Sequence, residues 1–373
     1  MSVPPPAAPT VDVDHRPRRD RLRDALAAEG LDALYVTHAA NVRWLTGFTG
    51  SSAQLVVAVD RELDLFLTDG RYDVQAAAEV ADLERRLCRT GADEAAVDRL
   101  AGRLGVLGFE AHRLTWEAAE RLRGVGGERG LHVRPAVGHV ERLRAVKDPH
   151  ELAALRTACA VTDAAFAQLL DGLRPGLSER SIALQLESSL VDLGAEAPSF
   201  PSIVASGPNS ARPHHQPTDR RLQPGDLLKV DFGARVAGYH ADMTRTVGLG
   251  EPGQLLREVH AVVRAAQAVG IGCARLGTTV GEVDRVCRET VDAAGYGDAF
   301  VHGTGHGVGL EVHEWPTLAK EGRATLATGM TVTVEPGVYL AGTGGVRIED
   351  TLAVTSSGPP EVLTRSPREL LIL

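Results

Sequence analysis

The sequence predicts an α/β protein of two domains, a small N-terminal α/β domain followed by a larger C-terminal α+β domain with an internal repeat. Three observations support this prediction. The chain has 373 residues, more than one ordinary hydrophobic core accommodates. Helical and extended patterns alternate through the first part of the chain. Beyond it, two similar turn-and-helix segments recur, each ahead of a strand region that carries acidic residues.

The domain limits follow from changes in composition along the chain. Residues 1–18 are Pro-rich and then basic, so we expect a disordered tail there. This segment lacks the apolar core of a secretion signal, which indicates a cytoplasmic protein. We place the N-terminal α/β domain at residues 19–143 and the C-terminal domain at residues 144–373, because Pro149 opens a long helix shortly after the boundary.

Within the N-terminal domain, residues 21–28 predict a helix, and the apolar runs at 33–36, 54–59 and 63–67 predict buried strands. The loop Gly47–Ser52 precedes the second strand and is rich in glycine and serine. No helix follows this loop in the way that a phosphate-binding loop requires, so nucleotide binding is not expected.

The repeated segment of the C-terminal domain is a turn glycine followed by a serine or threonine able to cap a helix. Residues 173–178 lead into a predicted helix at 182–193, and residues 274–279 lead into a predicted helix at 283–294. A duplicated helix-plus-sheet unit, with its site at the junction of the halves, is the simplest architecture that accounts for this repeat.

Composition argues against several classes of partner. The net charge of -9 speaks against nucleic acid, because phosphate binding needs a positive surface. No apolar stretch approaches the length of about 20 residues that crosses a bilayer, so no membrane partner is expected. The four cysteines are scattered without metal or redox spacing, which is typical of reduced, buried thiols.

Two acidic residues are predicted to face each other across a hairpin in the C-terminal domain. Asp231 lies in one strand pattern and Asp242 in the next, with residues 235–238 between them. A hairpin centred between Val236 and Ala237 sets the two aspartates directly opposite, where facing side chains lie about 5 Å apart. Like charges so placed repel each other.

The same construction applies nearer the C-terminus. Residues 331–335 and 346–349 are predicted strands joined by a Gly-rich turn centred near Gly342, and this sets Glu335 opposite Glu349. Two facing carboxylate pairs need a shared explanation, which bound divalent cations provide by turning repulsion into ligation. The alternative is that the four acids are solvated strand ends.

A fifth candidate ligand, His306, lies in the row His302–Gly309, where glycines on both sides leave its imidazole unobstructed. Four carboxylates and one neutral imidazole carry about four negative charges, enough to neutralise two divalent cations. An oxygen-rich ligand set favours Mn or a similar ion over the Cys/His sites of structural zinc. Two such cations about 3.5–4 Å apart share a hydroxide and lower its pKa, so the expected reaction is hydrolysis.

The motifs around these residues resemble those of the dinuclear metallopeptidases of the aminopeptidase P and prolidase kind. They are the runs at 206–214, 225–233, 242–246, 305–314, 334–337 and 346–350. The resemblance covers the C-terminal domain and implies the pita-bread fold with its internal pseudo-twofold repeat. The N-terminal domain resembles the creatinase/prolidase-type α/β domain that those enzymes carry.

The resemblance implies a site for two divalent metal ions, with Mn as the first choice and Co or Zn as alternatives. Its ligands would be the five residues already selected on their own grounds, namely Asp231, Asp242, His306, Glu335 and Glu349. Asp242 and Glu349 would bridge the two ions.

The resemblance also implies roles for three histidines. His214 and His313 match histidines that contact substrate and stabilise the tetrahedral intermediate, a role that suits an imidazole beside a metal-bound hydroxide. His215 is the alternative to His214. His302 matches a further histidine near the pocket, with a structural role as the alternative. Glu335 matches the residue that passes a proton from the nucleophile to the leaving amine.

Three more residues are candidate substrate contacts. Arg347 shares the face of Glu349 by strand alternation, so it is suited to pair with a ligand carboxylate; a surface salt bridge is the alternative. Phe200 and Tyr339 are aromatic residues close to the motifs and are candidates for lining a proline pocket, although most such residues belong to the core.

The expected function is that of a metal-dependent Xaa-Pro peptidase, which hydrolyses the peptide bond before a penultimate proline through a metal-bridging hydroxide. Its partners would be proline-containing peptides, and the resemblance implies a homodimer. The loop Gly47–Ser52 resembles that of aminopeptidase P-like proteins and favours an aminopeptidase. An Xaa-Pro dipeptidase (prolidase) restricted to dipeptides is the alternative.

Remoter alternatives share the scaffold. A methionine aminopeptidase has the fold and the ligands, but the additional N-terminal domain speaks against it. A catalytically inactive binding protein, or a metal-free hydrolase such as creatinase, would have lost ligands, whereas all five are present here.

Overall fold

The computed structural model describes residues 13–373, which form two compact units that divide between Arg144 and Ala145. This division lies one residue beyond the predicted limit. Each unit has hydrophobic core residues of its own. Within residues 13–373, none of the helices combines the length and the apolar character needed to cross a bilayer.

The N-terminal unit is built on one six-stranded sheet with the order β4-β3-β2-β1-β5-β6. Its helices are α1 (Arg16–Ala28), α2 (Ala39–Thr46), α3 (Asp73–Glu79), α4 (Ala92–Leu100), α5 (Trp116–Glu128) and α6 (His139–Arg144). Its strands are β1 (Ala33–Val36), β2 (Ala53–Ala58), β3 (Leu65–Thr68), β4 (Arg85–Leu87), β5 (Val106–Glu110) and β6 (His132–Ala136). Strand β2 is antiparallel to both of its neighbours, and the outer pairs are parallel.

The predicted tail over residues 1–18 is too long, because α1 begins at Arg16. Arg18 and Arg19 are buried and donate hydrogen bonds to backbone carbonyls at the end of α2, at 3.0 and 2.8 Å. These arginines, which the sequence placed in or beside a basic tail, are therefore part of the folded unit. The predicted domain start at Arg19 is wrong for the same reason. Residues 1–12 of the predicted tail lie outside the described range.

The C-terminal unit contains long helices and mostly short strands. Its helices are α7 (Pro149–Gly172), α8 (Glu179–Asp192), α9 (Gln254–Cys273) and α10 (Val280–Ala293). The strands of its first half are β7 (Ala197–Pro198), β8 (Ile203–Ser206), β9 (Leu227–Phe232), β10 (Ala234–Val236), β11 (Tyr239–His240) and β12 (Met243–Gly248). Those of its second half are β13 (Gly305–Gly307), β14 (Glu314–Leu318), β15 (Thr331–Val334), β16 (Gly337–Leu340), β17 (Gly344–Arg347), β18 (Asp350–Ala353) and β19 (Glu361–Val362).

The order of these elements repeats, which confirms the predicted internal repeat. Helices α7 and α8 share a hydrophobic core with β9 and β12, and helices α9 and α10 share another with β15, β17 and β18. The halves join beside β12, where the Glu349 N–H donates to Thr244 O at 3.1 Å and the Thr246 hydroxyl donates to Arg347 O at 2.9 Å. This junction contains the predicted acidic site.

Both repeated helices begin directly after their predicted caps. Ser178 and Thr279 each accept a hydrogen bond from the backbone N–H three residues further on, at 3.1 and 3.2 Å. Helices α8 and α10 therefore start at Glu179 and Val280, earlier than the predicted starts at 182 and 283. The cap, and not the first apolar residue, determines where each helix begins.

The hairpin that carries Asp231 has a different register from the one predicted. Strand β9 pairs with β12 so that Asp231 lies opposite Thr244, while Asp242 directly precedes β12. The turn consists of Ala237 and Gly238, whose φ angles of 51° and 81° suit a two-residue turn of type I′. The predicted centre was therefore one residue too early. The resulting shift of two positions keeps the side chains on the predicted face, because strand alternation has a period of two.

The register predicted for the second acidic pair is confirmed. Strand β15 pairs with β18, and β16 pairs with β17, in one continuous register that sets Glu335 opposite Glu349. The turn between β16 and β17 contains Gly342, whose φ of 77° lies in the left-handed region that favours glycine.

Replacement of Ala237 by asparagine is expected to stabilise the protein. A left-handed φ costs an alanine about 1–2 kcal/mol, whereas asparagine tolerates it and is preferred at the first position of a type I′ turn. We expect the free energy of unfolding to rise by about 0.5–1 kcal/mol, measured from the urea midpoint. The matched control Gly238→Ala should shift the midpoint downward, because it places a side chain at φ 81°. Unchanged midpoints in both variants would contradict the assigned turn.

Candidate metal centre

All five predicted ligands line one cavity of about 800 Å³ in the C-terminal unit. They are Asp231, Asp242, His306, Glu335 and Glu349. One ligand atom from each of Asp242, His306 and Glu349 lies within 4.8 Å of the other two. His306 Nε2 lies 3.6 Å from Asp242 Oδ2 and 3.2 Å from Glu335 Oε1. Folding therefore gathers acidic residues from both halves of the unit around one imidazole.

Close backbone packing positions the two aspartates. Gly233 lies between them in the sequence, and a Cβ on this residue would come within 1.8 Å of the Ala241 carbonyl oxygen. The Asp242 N–H donates to the Thr351 hydroxyl at 3.3 Å, and this hydroxyl donates to Asp242 O at 2.8 Å. A glycine and a threonine thus fix the backbone from which the carboxylates of Asp231 and Asp242 project.

Glycines also position His306. A Cβ on Gly305 would lie 2.1 Å from Thr333 O, and a Cβ on Gly307 would lie 2.4 Å from Trp315 O. Strand β13 therefore packs more closely against its neighbours than residues with side chains would allow. His306 Nδ1 lies 3.0 Å from the Gly307 carbonyl oxygen, so Nδ1 carries the proton and Nε2 faces the carboxylates.

Threonine hydroxyls hold the two glutamates. Thr244 Oγ1 donates to Glu349 Oε2 at 2.7 Å, and Thr333 Oγ1 donates to Glu335 Oε1 at 3.2 Å. The Glu335 N–H donates to Thr304 O at 2.8 Å. Each glutamate is thus fixed through both its backbone and its side chain.

The donor set fits divalent cations. Asp231 Oδ1 and Asp242 Oδ1 are buried and lack a hydrogen-bond partner within residues 13–373. Burial, together with neighbouring carboxylates, raises the pKa of Asp242 and that of Glu349 well above their usual ranges. Buried carboxylates at such distances are costly unless a positive charge meets them. Oxygen donors with one imidazole nitrogen are ligands that hard or borderline divalent ions accept.

Glu335 differs from the other two acids. Burial opposes its ionisation, but the His306 imidazole and the Arg347 guanidinium lower the pKa of Glu335 to about 2. Burial alone would lower the pKa of His306, yet its contact with Glu335 raises it. Glu335 is therefore ionised at neutral pH and paired with the one histidine of the cluster.

Arg347 pairs with a candidate ligand inside the protein, and its side chain is only 2% exposed. Its Nη2 contacts Asp231 Oδ2, and its Nε donates to Thr244 Oγ1 at 3.0 Å. Nε also lies 4.0 Å from Glu335 Oε2. Of the two interpretations left open by the sequence, the structure shows the pairing with a ligand carboxylate and not a surface salt bridge. Arg347 thus lines the cavity while it is bonded to the acids, and its contact with substrate stays a prediction.

Tyr339 does not line the cavity, which contradicts its prediction as a proline-pocket residue. It is 8% exposed, and its oxygen accepts a hydrogen bond from Arg347 Nη1 at 2.7 Å. Burial raises the pKa of Tyr339 to about 12, so the phenol stays protonated. Its hydroxyl is directed inward because a buried guanidinium needs an acceptor there.

His302 lines the cavity, but both of its ring nitrogens are engaged. Nδ1 lies 2.7 Å from Gly303 O, which requires an N–H there, so Nε2 accepts a hydrogen bond from the Tyr339 hydroxyl at 2.8 Å. Burial lowers the pKa of His302, which keeps this ring neutral. Of the two roles left open by the sequence, this geometry supports the structural one.

His214, and not His215, has an exposed side chain at the cavity. The His215 side chain is 2% exposed, and its Nε2 lies 2.8 Å from Glu179 Oε2. Glu179 also accepts hydrogen bonds from the N–H and hydroxyl groups of Ser206 and Thr218. Burial opposes its ionisation, but the bonds from Thr218 and His215 lower the pKa of Glu179 to about 2. The loop that carries His214 is therefore folded around a buried carboxylate.

Lys229 holds the same loop from another side and was not identified from the sequence. It is buried in β9, where Nζ donates to the carbonyl oxygens of Ser210, Arg212 and Pro213 at 3.2, 2.6 and 3.3 Å. Nζ also lies 4.9 Å from the centre of the Tyr339 ring. The available signal was a lone lysine within an apolar strand pattern, since lysine is rarely buried without a specific partner.

His313 is exposed at the cavity beside the ligand cluster. Its ring meets that of His306 edge to face, with 4.4 Å between the centroids. Burial, and then the neighbouring His306, lowers the pKa of His313, which keeps its imidazole neutral at neutral pH. A neutral imidazole has one N–H and is able to donate it to an oxygen of a bound substrate.

Apolar side chains also line the cavity. Phe200 lines it, together with residues that the sequence did not single out. These are Pro201, Ile203, Pro217, Val312 and Trp315. They come from loops and strand ends that are distant in the sequence, so no periodic pattern could indicate that they meet.

Comparison with known families covers both units. The family model described as Metallopeptidase family M24 matches residues 153–356, and that of the Creatinase/Prolidase N-terminal domain matches residues 18–146. An uncharacterized peptidase of Bacillus subtilis is 40% identical over 359 residues, which cover 95% of this chain and 99% of the relative. An Xaa-Pro dipeptidase of Pyrococcus furiosus is 40% identical over 232 residues, which cover 62% of this chain and 66% of the relative.

Solved structures agree in fold over nearly the whole chain. The Xaa-Pro dipeptidase from Bacillus anthracis superposes with a TM-score of 0.91 at 38% identity, covering 96% of this chain and 100% of its own. The X-Pro aminopeptidase from Thermotoga maritima superposes with a TM-score of 0.83 at 34% identity, covering 92% of this chain and 98% of its own. Similar structures therefore include both dipeptidases and aminopeptidases.

With a metal chelator present at neutral pH, the variant Asp242→Asn is expected to have a higher thermal unfolding midpoint than the wild-type protein. The folded state raises the pKa of Asp242 above its ordinary value of 3.8, so between that value and the raised pKa the unfolded chain binds fewer protons than the folded one. The free energy of unfolding of the wild-type protein then falls as pH rises through this window. The variant has no carboxylate at this position, so its free energy of unfolding does not fall for this reason. The difference in midpoint should therefore grow from about pH 4 to pH 7. Asp192→Asn, on the exposed side of α8, is the control; equal midpoints for Asp242→Asn and wild type at pH 7 would contradict the crowding of carboxylates.

Proposed function

Because this chain belongs to metallopeptidase family M24, we propose that it is an Xaa-Pro peptidase, which hydrolyses the peptide bond before a proline in the second position of a peptide. The observation that carries this proposal is the cluster of four carboxylates and one imidazole in a single cavity that apolar side chains also line. Relatives named Xaa-Pro dipeptidase and Xaa-Pro aminopeptidase support it.

Two divalent ions would be held by Asp231, Asp242, His306, Glu335 and Glu349. When bound, they would supply Lewis acidity and lower the pKa of a water at the site. The resemblance to aminopeptidase P and prolidase implies that Asp242 and Glu349 would be the acids shared between the ions. We propose Mn as the native ion because oxygen donors dominate; Co and Zn are the alternatives.

His313 and His214 are the proposed donors to the substrate. Both are exposed at the cavity, and His313 stands beside the ligand His306. An imidazole N–H directed at the scissile carbonyl oxygen would stabilise the negative charge that develops there, worth about 3–4 kcal/mol for a well-placed donor. His302 is not proposed for this task, since both of its nitrogens are engaged within the protein.

Glu335 is the proposed carrier of the proton. Its Oε1 accepts from the Thr333 hydroxyl, and its carboxylate faces the cavity beside His306. A carboxylate in this place would take a proton released during attack and pass it to the nitrogen of the leaving prolyl group.

The apolar lining of the cavity is the proposed binding surface for proline. Phe200, Ile203 and Trp315 belong to it, and a pyrrolidine ring would bury its methylene groups against such side chains. Proline also lacks a backbone N–H, so a site that relies on side-chain donors and bound ions loses no required hydrogen bond.

We propose an aminopeptidase that acts on longer peptides, with a dipeptidase as the second candidate. The loop Gly47–Ser52, which resembles that of aminopeptidase P-like proteins, favours the first candidate. The similarity to the dipeptidase from Bacillus anthracis favours the second. Homodimer assembly and a cytoplasmic location stay predictions.

The first test compares substrates on the Mn-loaded protein. We expect Xaa-Pro-Yaa tripeptides to be cleaved before proline with a higher kcat/KM than Xaa-Pro dipeptides, measured by release of the free amino acid. Peptides of the Met-Ala type serve as the control and should react poorly. Cleavage of dipeptides alone would select the second candidate, and a preference for Met-Ala peptides would contradict the proposed specificity.

The second test removes a proposed ligand. Asp242→Ala is expected to abolish hydrolysis and to lower the Mn content of the purified protein, because a shared carboxylate is lost. Metal analysis and turnover of an Xaa-Pro peptide measure this. Circular dichroism and the exposed-site control Asp192→Ala establish that the fold is kept. Wild-type turnover by Asp242→Ala would refute the assigned ligand role.

A further inference from the structure

We propose that Lys147 and Glu314 are positioning residues that hold His313 in place at the cavity, an inference that rests on the proposed peptidase function. Lys147 Nζ lies 2.9 Å from Glu314 Oε2, and the two side chains are 1% and 5% exposed. Neither residue belongs to the ligand cluster. A buried ion pair adds little stability over apolar residues of the same size, and its best-supported use is to specify one geometry.

The carboxylate of Glu314 lies inside the loop that ends at His313. This loop comprises residues 308–313 between β13 and β14. Glu314 Oε1 accepts the Glu311 N–H at 3.1 Å, which closes the loop on itself. A Cβ on Gly309 would lie 2.7 Å from Glu314 Oε2, so the backbone packs directly against the carboxylate. The loop is therefore folded around this one charged group.

Lys147 approaches from a rigid part of the unit. Its N–H donates to Gly329 O at 2.9 Å, and the preceding Val146 forms a β-bridge with Met330. The following Asp148 caps α7 with a complete capping box. The backbone of Lys147 is fixed on both sides. The ion pair therefore orients the loop relative to Lys147, and the loop does not orient the lysine.

A second connection runs from the start of α7 to the same loop. Glu151 Oε1, in the first turn of α7, accepts the Tyr239 hydroxyl at 2.9 Å. The N–H of the next residue, His240, donates to Gly309 O at 2.8 Å. The beginning of the helix thus holds the loop near its first residue, and Lys147 holds it at its end.

The consequence for catalysis follows from the place of His313. Its ring contacts the ligand His306 at 4.4 Å between centroids, so a small shift of the loop changes the direction in which its N–H points. A donor that acts on the developing charge contributes to the transition state more than to substrate binding. Loss of the ion pair should therefore lower kcat and leave KM nearly unchanged.

The kinetic test uses Lys147→Met in the full-length, Mn-loaded protein with an Xaa-Pro-Yaa peptide. We expect kcat to fall by about 10-fold or more, towards the roughly 100-fold loss that a 1 Å misplacement causes. The Mn content should stay unchanged. Adding His313→Ala to this variant should cost little more, because both changes remove the same contribution. If kcat of the double variant falls by the product of the factors seen in the two single variants, the proposal is overturned.

A paired variant separates positioning from stability. Lys147→Met alone leaves Glu314 charged and buried, so the thermal midpoint should fall. Lys147→Met with Glu314→Gln removes both charges and should restore the midpoint while kcat stays low. If kcat of the double variant recovers together with its thermal midpoint, the ion pair contributes only to stability, and the proposal is overturned. Arg156→Met, which breaks the exposed pair with Glu361, is the control and should leave kcat unchanged.

Amide hydrogen exchange gives a readout that is independent of activity. Residues 308–314 should exchange faster in Lys147→Met than in wild type, while β9 exchanges at the same rate in both. If wild type hydrolyses no Xaa-Pro peptide but this change is seen, the proposed function fails and the anchoring of the loop is upheld. If wild type is active and the variant matches it in kcat and in exchange, the anchoring role is overturned.

Discussion

Repulsion among four crowded carboxylates, three of them buried, is the constraint on which the acidic site of the C-terminal unit depends. Two unit charges 4 Å apart interact by about 4 kcal/mol at an effective dielectric constant of 20. Within the described cluster, Arg347 and His306 are the groups that oppose this repulsion directly. Most of the surrounding structure prevents the acids from moving apart. Threonine hydroxyls fix the glutamates, and glycines let neighbouring strands approach until their carbonyl oxygens would touch a Cβ.

The irregular loops of the cavity are organised by buried charges bonded to backbone groups. Glu179 accepts hydrogen bonds from N–H groups of the loop that carries His214, and Lys229 donates hydrogen bonds to carbonyl oxygens of the same loop. Glu314 accepts an N–H from within its own loop and pairs with Lys147. In each case a charge at the base of the loop replaces the regular hydrogen bonding of a strand. Flexible segments thereby acquire the fixed geometry that catalysis requires.

Residue types and strand registers were enough to predict a duplicated domain and the meeting of four acids with His306, but not the contacts around them. Glu335 and Glu349 oppose each other because a Gly-rich turn fixes their register, whereas the partner of Asp231 was wrong because an Ala-Gly turn was centred one residue too early. Tyr339 was misplaced because the direction of its hydroxyl depends on a guanidinium that reaches it only after folding. The buried partner of His215 lies far away in the sequence, so only matched motif position could separate this residue from its neighbour.

The proposed ligand set is divided between the two halves of the repeat, with both aspartates from the first and the histidine and glutamates from the second. An ion held among them acts as a cross-link between segments that are otherwise joined by packing and hydrogen bonds. Since such an ion binds only the assembled arrangement, its affinity adds to the cohesion of the halves by mass action. A newly made chain would therefore become more resistant to proteases when it is loaded. The concentration of the free ion would then influence how long the protein lasts as well as how fast it works.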